Sequence, residues 1–66
     1  MAIRITMTNE EKSQLEALSQ SLRKEQASLL LAAATSGSLP SNSTIQRVAY
    51  LELNIAAIEN TLSDPV

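Results

Sequence analysis

The chain lacks cysteine and histidine, and its 66 residues include only one glycine, two prolines and one aromatic residue, Tyr50. Without cysteine and histidine there is no disulfide framework, no thiolate nucleophile and no zinc site of the usual ligands. The scarcity of turn residues disfavours a β-sandwich or a barrel. The longest apolar run, 29–34, is far shorter than the about 20 residues that a membrane-spanning helix needs.

Charge limits the function as well. Five Lys and Arg residues against seven Asp and Glu residues give a net charge of −2, whereas nucleic-acid binders normally have a basic excess. No pattern typical of a nucleophilic triad, a metal site or a phosphate-binding loop occurs, so we expect no enzyme, no catalytic residue, no metal and no cofactor. No signal-peptide pattern is present, which makes the cytoplasm the expected location. With so short an apolar run, we expect no membrane partner.

The first helix has clear start and stop signals. Thr8 and Glu11 have the spacing of a capping box, in which each side chain bonds the backbone of the other residue. Glu25 and Gln26 interrupt the apolar stripe that follows, either as residues facing solvent or as polar residues that set a register. The stripe itself has spacings of three and four and comprises Leu15, Leu18, Leu22, Leu29 and Ala32 or Ala33. The pattern predicts a helix over about 9–36, ended by Gly37 in the left-handed conformation.

The second helix carries the strongest periodic signal. Ser43 and Gln46 have capping-box spacing, and a stripe at spacings of three and four follows: Val48, Leu51, Ile55, Ile58 and Leu62. A second apolar strip lies beside the first and comprises Ile45, Ala49, Leu53 and Ala56. We predict an all-α fold, a two-helix hairpin in one domain. It has an extended arm over 1–8, helices over about 9–36 and 44–63, and a turn over 37–43.

One such hairpin has more apolar surface than it can bury. The first helix is longer than the second, so Leu15 and the alternating apolar residues of the arm have no partner within the hairpin. Each apolar side chain contributes about 1.5–3 kcal/mol when it is buried, and self-association is the simplest way to bury it. The sequence therefore predicts a homo-oligomeric helical bundle whose interface includes Ile3, Ile5, Met7, Leu15, Ile45 and Leu53.

Basic and hydroxyl-bearing residues predict a small anion pocket near the turn. The backbone amides at the start of the second helix attract anions, and basic side chains from both helices could join them there. The residues of this candidate ligand-binding site are Arg23, Lys24, Ser43, Thr44, Arg47 and Tyr50. The alternative interpretation is a polar turn with solvated charges, with Tyr50 at the rim of an interface.

The stretch Ile5-Thr6-Met7-Thr8, followed by Leu15-Glu16-Ala17-Leu18 and Leu29-Leu30, resembles the ribbon-helix-helix repressors and antitoxins over residues 3–34. The resemblance implies a dimeric β-ribbon that enters the major groove of DNA through Ala2, Arg4 and Thr6. It also implies a turn between two helices near 23–25, where the chain has Arg23-Lys24-Glu25, which are good helix formers. A DNA-binding transcriptional repressor is therefore the alternative function, and it differs from the hairpin in whether the first helix breaks there.

A second resemblance concerns the capped acidic start at 8–11, the leucine-spaced first helix and the ending Ile55-Ala56-Ala57-Ile58, Leu62 and Pro65. These features are similar in spacing to helical hairpins of phage-encoded sponges, which trap the cyclic nucleotide signals of bacterial defence. Asn60 stands where that family has a basic residue. The resemblance implies a sequestering protein related to phage or bacterial defence.

Together these features favour binding over catalysis. We expect a small homo-oligomeric regulatory or sequestering protein. It would act through the surface of its helical oligomer or through the small anionic-ligand pocket. Its expected partners are further copies of itself and either an unknown macromolecule or a small anionic ligand, with DNA as a partner only in the alternative.

Overall fold

The structure is a computed structural model that describes residues 6–63. They form two α-helices that pack against each other, α1 (Asn9–Ser36) and α2 (Asn42–Ser63). The predicted all-α two-helix hairpin is confirmed, and α1 has the predicted bounds. Most of the predicted arm, 1–5, lies outside the described residues, and so do its candidate residues Ala2, Ile3, Arg4 and Ile5. Within 6–63, neither helix combines the length and hydropathy needed to cross a membrane.

The N-terminus of α1 is held by the predicted capping box. Thr8 is the N-cap, and its hydroxyl oxygen accepts a hydrogen bond from the Glu11 amide at 3.0 Å. The Glu11 carboxylate in turn accepts from the Thr8 amide at 2.9 Å. Glu10 and Glu11 also place negative charge in the first turn, where the helix dipole favours it. Local sequence alone therefore determines where α1 begins.

Helix α1 continues without a break through 23–25. Arg23, Lys24 and Glu25 are good helix formers, and none of them ends a helix by its own geometry. The ribbon-helix-helix resemblance implies a turn at this place, and α1 has none. The structure therefore departs from that architecture in the part of the chain where the two interpretations differ.

The C-terminus of α1 is set by Gly37, which has the predicted left-handed conformation with φ 71°. A Cβ atom in this conformation approaches the following carbonyl oxygen, and glycine has none. The Ser36 hydroxyl donates to the Ala33 carbonyl at 2.9 Å and satisfies one of the last carbonyls of α1. Both features stop the helix and turn the chain toward α2.

We expect Gly37→Ala to destabilise the protein by about 1 kcal/mol because alanine is strained at positive φ. No neighbouring atom lies within 4 Å of the added Cβ, so crowding contributes nothing. Gly37→Asn is the matched control, because asparagine tolerates the left-handed region better and should cost less. Urea unfolding of the three proteins at one concentration measures the difference. Equal stabilities for Gly37→Ala and the parent would contradict the left-handed conformation at position 37.

The start of α2 differs from the prediction. Ser43 was expected to cap the helix with Gln46, and this prediction is wrong because α2 already includes Asn42 and Ser43. Ser41 takes the capping position instead: its hydroxyl oxygen accepts from the Thr44 amide at 3.3 Å, and its carbonyl accepts from the Ile45 amide at 3.0 Å. Serine occurs at 41 and 43, so a local pattern does not decide between them.

The core of the hairpin is small. Among residues 6–63, the fully buried large side chains are Leu51 and Ile55, at 1% and 0% exposure. Ser19 is also buried, at 7% exposure. The half-buried residues that continue the stripes of the two helices are Leu15, Leu22, Gln26, Leu29, Ala33, Val48, Ile58 and Leu62. The predicted stripe of α2 therefore does face α1, but two helices cover it only in part.

Candidate functional site

The most distinctive surface of the hairpin is an apolar strip on α2 beside the face that packs against α1. We call it the outer strip: Ile45, Ala49, Leu53 and Ala56. These residues are three or four positions apart and therefore share one face of the helix. Leu53 is 67% exposed and Ile45 is 51% exposed. The outer strip carries no charged side chain, so water contacts an apolar helix face there.

An apolar groove lies next to the outer strip at the turn end of the hairpin. The outer strip and the groove share Ile45. The groove is lined by Leu29, Leu30, Ala33, Pro40, Thr44, Ile45 and Val48. Leu30 is 52% exposed in it. The strip and the groove thus form one continuous apolar surface. The sequence predicts only two of its residues, Ile45 and Leu53, as interface residues. The signal that points to Leu30 is the widening of the α1 stripe at 30–31.

Gln26 crosses from α1 to α2 at the position where the leucine stripe is interrupted. Its side-chain amide donates to the Glu52 carboxylate at 3.0 Å and lies 3.4 Å from the Val48 carbonyl. A half-buried polar group keeps its hydrogen bonds only when the two helices are correctly aligned. Of the two sequence interpretations, Gln26 therefore corresponds to the residue that sets a register, whereas Glu25 is exposed.

Two ion pairs join the helices on opposite sides of the hairpin. The Arg47 guanidinium donates twice to the Glu25 carboxylate, at 2.7 and 3.0 Å. Arg23 pairs with Glu59. Positions 23 and 25 point about 200° apart around α1, because successive helical residues are separated by about 100°. The two pairs thus brace both sides of the contact between the helices.

The ion pairs favour the charged forms of Glu25, Arg47 and Arg23. The hydrogen bond from Arg47, reinforced by its charge, lowers the pKa of Glu25 below its ordinary value of 4.5, against a smaller opposing effect of desolvation. The pKa of Arg47 is raised by the same hydrogen bond and charge. The pKa of Arg23 is raised mainly by its hydrogen bond and charge interaction with Glu59. All three side chains are therefore ionised at neutral pH.

We expect the stabilising effect of Glu25 to disappear in acid. A carboxylate whose pKa is lower in the folded than in the unfolded state stabilises the protein above its unfolded pKa, and the effect is lost as the pH falls through the folded pKa. The Tm of the parent should exceed that of Glu25→Gln at pH 7 and equal it near pH 2. Salt at about 1 M should reduce the difference at pH 7, because exposed pairs are screened. A Tm difference between the parent and Glu25→Gln that is independent of pH would contradict the ion pair of Glu25 with Arg47.

The chain matches no protein-family model, no curated protein and no solved structure. The features that indicate its function are therefore the outer strip, the groove and the ion pairs. The comparisons add no support to the ribbon-helix-helix or the phage-sponge resemblance.

The candidate anion-binding residues do not all lie on one side of the hairpin. Arg23 and Arg47 lie on opposite sides and each pairs with a carboxylate. Lys24 and Arg23 both line a shallow depression of α1 together with Gln20 and Ser21. Ser43, Arg47 and Tyr50 are spaced by four and three residues and therefore share one face of α2. The Ser43 and Thr44 hydroxyls each lie 3.1 Å from the Ser41 hydroxyl, Thr44 also lines the apolar groove, and Tyr50 is 59% exposed.

Met7 and Leu15, the remaining interface candidates within 6–63, lie at the opposite end of the hairpin. Met7 and Leu15 are half-buried and line a shallow groove together with Leu18, which is 48% exposed. Thr6, which the ribbon-helix-helix resemblance assigns to DNA, is exposed. This end therefore has an apolar patch of its own, separate from the outer strip.

Proposed function

We propose that this protein is a small, non-enzymatic, homo-oligomeric binding protein that acts as a regulatory or sequestering protein. Its protomers associate through the outer strip and the adjoining groove. The observation that carries the proposal is the contrast within α2: Leu51 and Ile55 are fully buried against α1, whereas Leu53, on the same helix, is 67% exposed. An apolar face that continues into a groove is typical of an interaction surface.

The exposed apolar side chains of the protomer support the same conclusion. In the part of the chain that the structure describes, the exposed large apolar side chains are Leu18, Leu30, Leu31, Leu39, Ile45, Tyr50 and Leu53. A domain of this size has little stability to spare, so burying even some of this surface against another copy changes its stability substantially.

The chemistry of the charged residues supports binding rather than catalysis. General acid–base catalysis needs a group whose pKa lies near the working pH. The shifts described for Glu25, Arg23 and Arg47 move each pKa away from neutrality. These side chains are partly exposed and braced between helices, which suits a scaffold that presents a surface.

Measuring the mass of the assembly tests the proposal. Sedimentation equilibrium at micromolar concentrations should give a mass that is a multiple of 7.1 kDa and that falls on dilution. A mass of 7.1 kDa at every concentration, with the helices intact by circular dichroism, would refute the homo-oligomeric proposal.

The ligand of the assembly is either a macromolecule or a small anion, and thermal shift separates the two. Nucleotides and inorganic phosphate should raise the Tm of the parent but not that of Arg47→Ala if the anion is the ligand. Glu25→Ala removes the same ion pair and leaves the arginine in place, so it controls for the lost pairing. No shift with any anion would assign the bound partner to the macromolecular class.

A further inference from the structure

The outer strip alternates large and small side chains along α2. Ile45 and Leu53 are large and exposed, and Ala49 and Ala56 are small. The order along the helix is therefore large, small, large, small. Helices pack closely where a large side chain of one meets a small side chain of the other.

This order fits a second copy of itself when the two α2 helices run in opposite directions. With the centre near Leu51, Leu53 faces Ala49 of the second copy, and Ile45 faces Ala56 of the second copy. A two-fold axis repeats each contact, so both helices use the same surface. A parallel pair in register places leucine on leucine and alanine on alanine. A parallel pair shifted by four residues also alternates, but it lacks two-fold symmetry and leaves surfaces open at both ends.

We infer that α2 packs antiparallel on α2 of a second copy. The two-fold axis passes the outer strip at the level of Leu51 along the helix, and Leu53 of each copy packs against Ala49 of the other. We call this contact the α2 seam. The inference rests on the proposed homo-oligomeric function and deepens it, because it names the residues that meet. The occupant of the outer strip is thus the same strip of another copy.

The charges beside the strip are compatible with the α2 seam. Glu52 accepts a hydrogen bond from Gln26 at 3.0 Å, and Glu59 pairs with Arg23. Both carboxylates therefore bond to α1 of their own protomer. The outer strip has no charge that a second copy must desolvate, which removes the main cost of packing two identical acidic chains together.

The apolar groove gives the α2 seam the area that the strip alone lacks. From Ile45 to Ala56 the strip is about 16 Å long, too short for the about 800 Å² per partner of a standard interface. The antiparallel direction carries α2 of the second copy past its Ala56 and over the groove beside Leu30 and Pro40. One arrangement therefore covers both the strip and the groove.

A swap of the large and small residues tests the α2 seam. Ala49→Leu should weaken self-association at least about tenfold, because the new leucine meets Leu53 of the second copy. Leu53→Ala should weaken it similarly by removing the large partner. The double variant Ala49→Leu/Leu53→Ala restores a large side chain opposite a small one and should return to within about threefold of the parent Kd. Sedimentation equilibrium gives the Kd, and circular dichroism checks that each variant is helical.

The swap has outcomes that overturn the seam. If Ala49→Leu strengthens association, position 49 meets open space or a small residue, and the α2 seam is wrong. If the double variant associates no better than either single variant, Leu53 and position 49 do not meet across an interface. If Ala49→Leu loses its helicity, cross-linking decides whether the two α2 helices meet as the α2 seam requires.

Cross-linking tests the direction of the helices without changing the packing volume greatly. The chain has no cysteine, so an introduced thiol is the sole one. An equal mixture of Ala49→Cys and Leu53→Cys chains should give a covalent dimer on mild oxidation, because these positions face each other. Asn60→Cys should give none, since the two residues at 60 are about 27 Å apart along the helices in the α2 seam.

The results separate failure of this inference from failure of the proposed function. A covalent dimer of Asn60→Cys with none from the mixture indicates parallel helices and overturns the α2 seam, while the protein remains an oligomer. A parent protein that sediments as a monomer at every concentration overturns both.

Discussion

Leu53→Glu should convert the proposed assembly into helical monomers and weaken self-association by at least about 100-fold. In the assembly a carboxylate at this position is removed from water with no cation to pair with, which costs several kcal/mol. In the monomer it lies in water, because Leu53 is 67% exposed in the hairpin. Sedimentation should give 7.1 kDa for this variant, and circular dichroism should show that its helices persist at concentrations where the parent is assembled.

Leu31→Glu is the matched control for this result. Leu31 is 66% exposed, almost the same as Leu53, but it lies on α1, outside the outer strip and the groove. The two variants add the same charge to equally exposed leucines. We expect Leu31→Glu to keep the mass of the parent. If both variants dissociate to the same extent, the association is a general effect of apolar surface and charge rather than of the outer strip.

Ile55→Ala should unfold most of the protein at micromolar concentration. Ile55 is fully buried, and removing a buried isoleucine side chain beyond Cβ costs about 2–5 kcal/mol. A small core of this kind seldom contributes more than about 3–5 kcal/mol in total. Urea unfolding followed by circular dichroism measures the loss. With Leu51 as the other fully buried large side chain of the described residues, there is little core left to compensate.

Ile45→Ala separates the core effect from the interface effect. It is the same substitution on the same helix, but Ile45 is 51% exposed in the hairpin. This variant should keep its helices at high protein concentration and assemble more weakly than the parent. Both proteins must be compared at one concentration, because association adds to apparent stability. If the two variants unfold to the same extent, burial within the hairpin does not determine how much stability is lost when an isoleucine of α2 is truncated.

The elements with local signals could be predicted from the sequence. The capping box at Thr8 and the left-handed Gly37 depend on a few neighbouring residues, and both are found as expected. The stripe through Leu51 and Ile55 predicted which face of α2 meets α1, because a helix displays its periodicity whatever it packs against. The predicted start of α2 was wrong because Ser41 and Ser43 are both suitable capping residues, and the geometry of the turn decides between them.

The contacts between the helices could not be predicted in the same way. The bonds of Gln26 and the pairing of Arg47 with Glu25 depend on how far one helix is displaced along the other, and no local pattern contains that displacement. Arg23 and Glu25 are near neighbours in the chain but lie on different sides of α1. The candidate anion site included both Arg23 and Arg47, and the hairpin places these two arginines on opposite sides.

The small core of residues 6–63, with Leu51 and Ile55 as its fully buried large side chains, has a kinetic consequence. In the proposed assembly, such a chain gains further stability by binding another copy, and that step is second order in protein. Refolding from urea should therefore accelerate as the protein concentration rises, whereas a self-sufficient hairpin refolds at a rate independent of concentration. Production of the active form in a cell would then rise more steeply than synthesis of the chain, and a small change in expression would act as a switch.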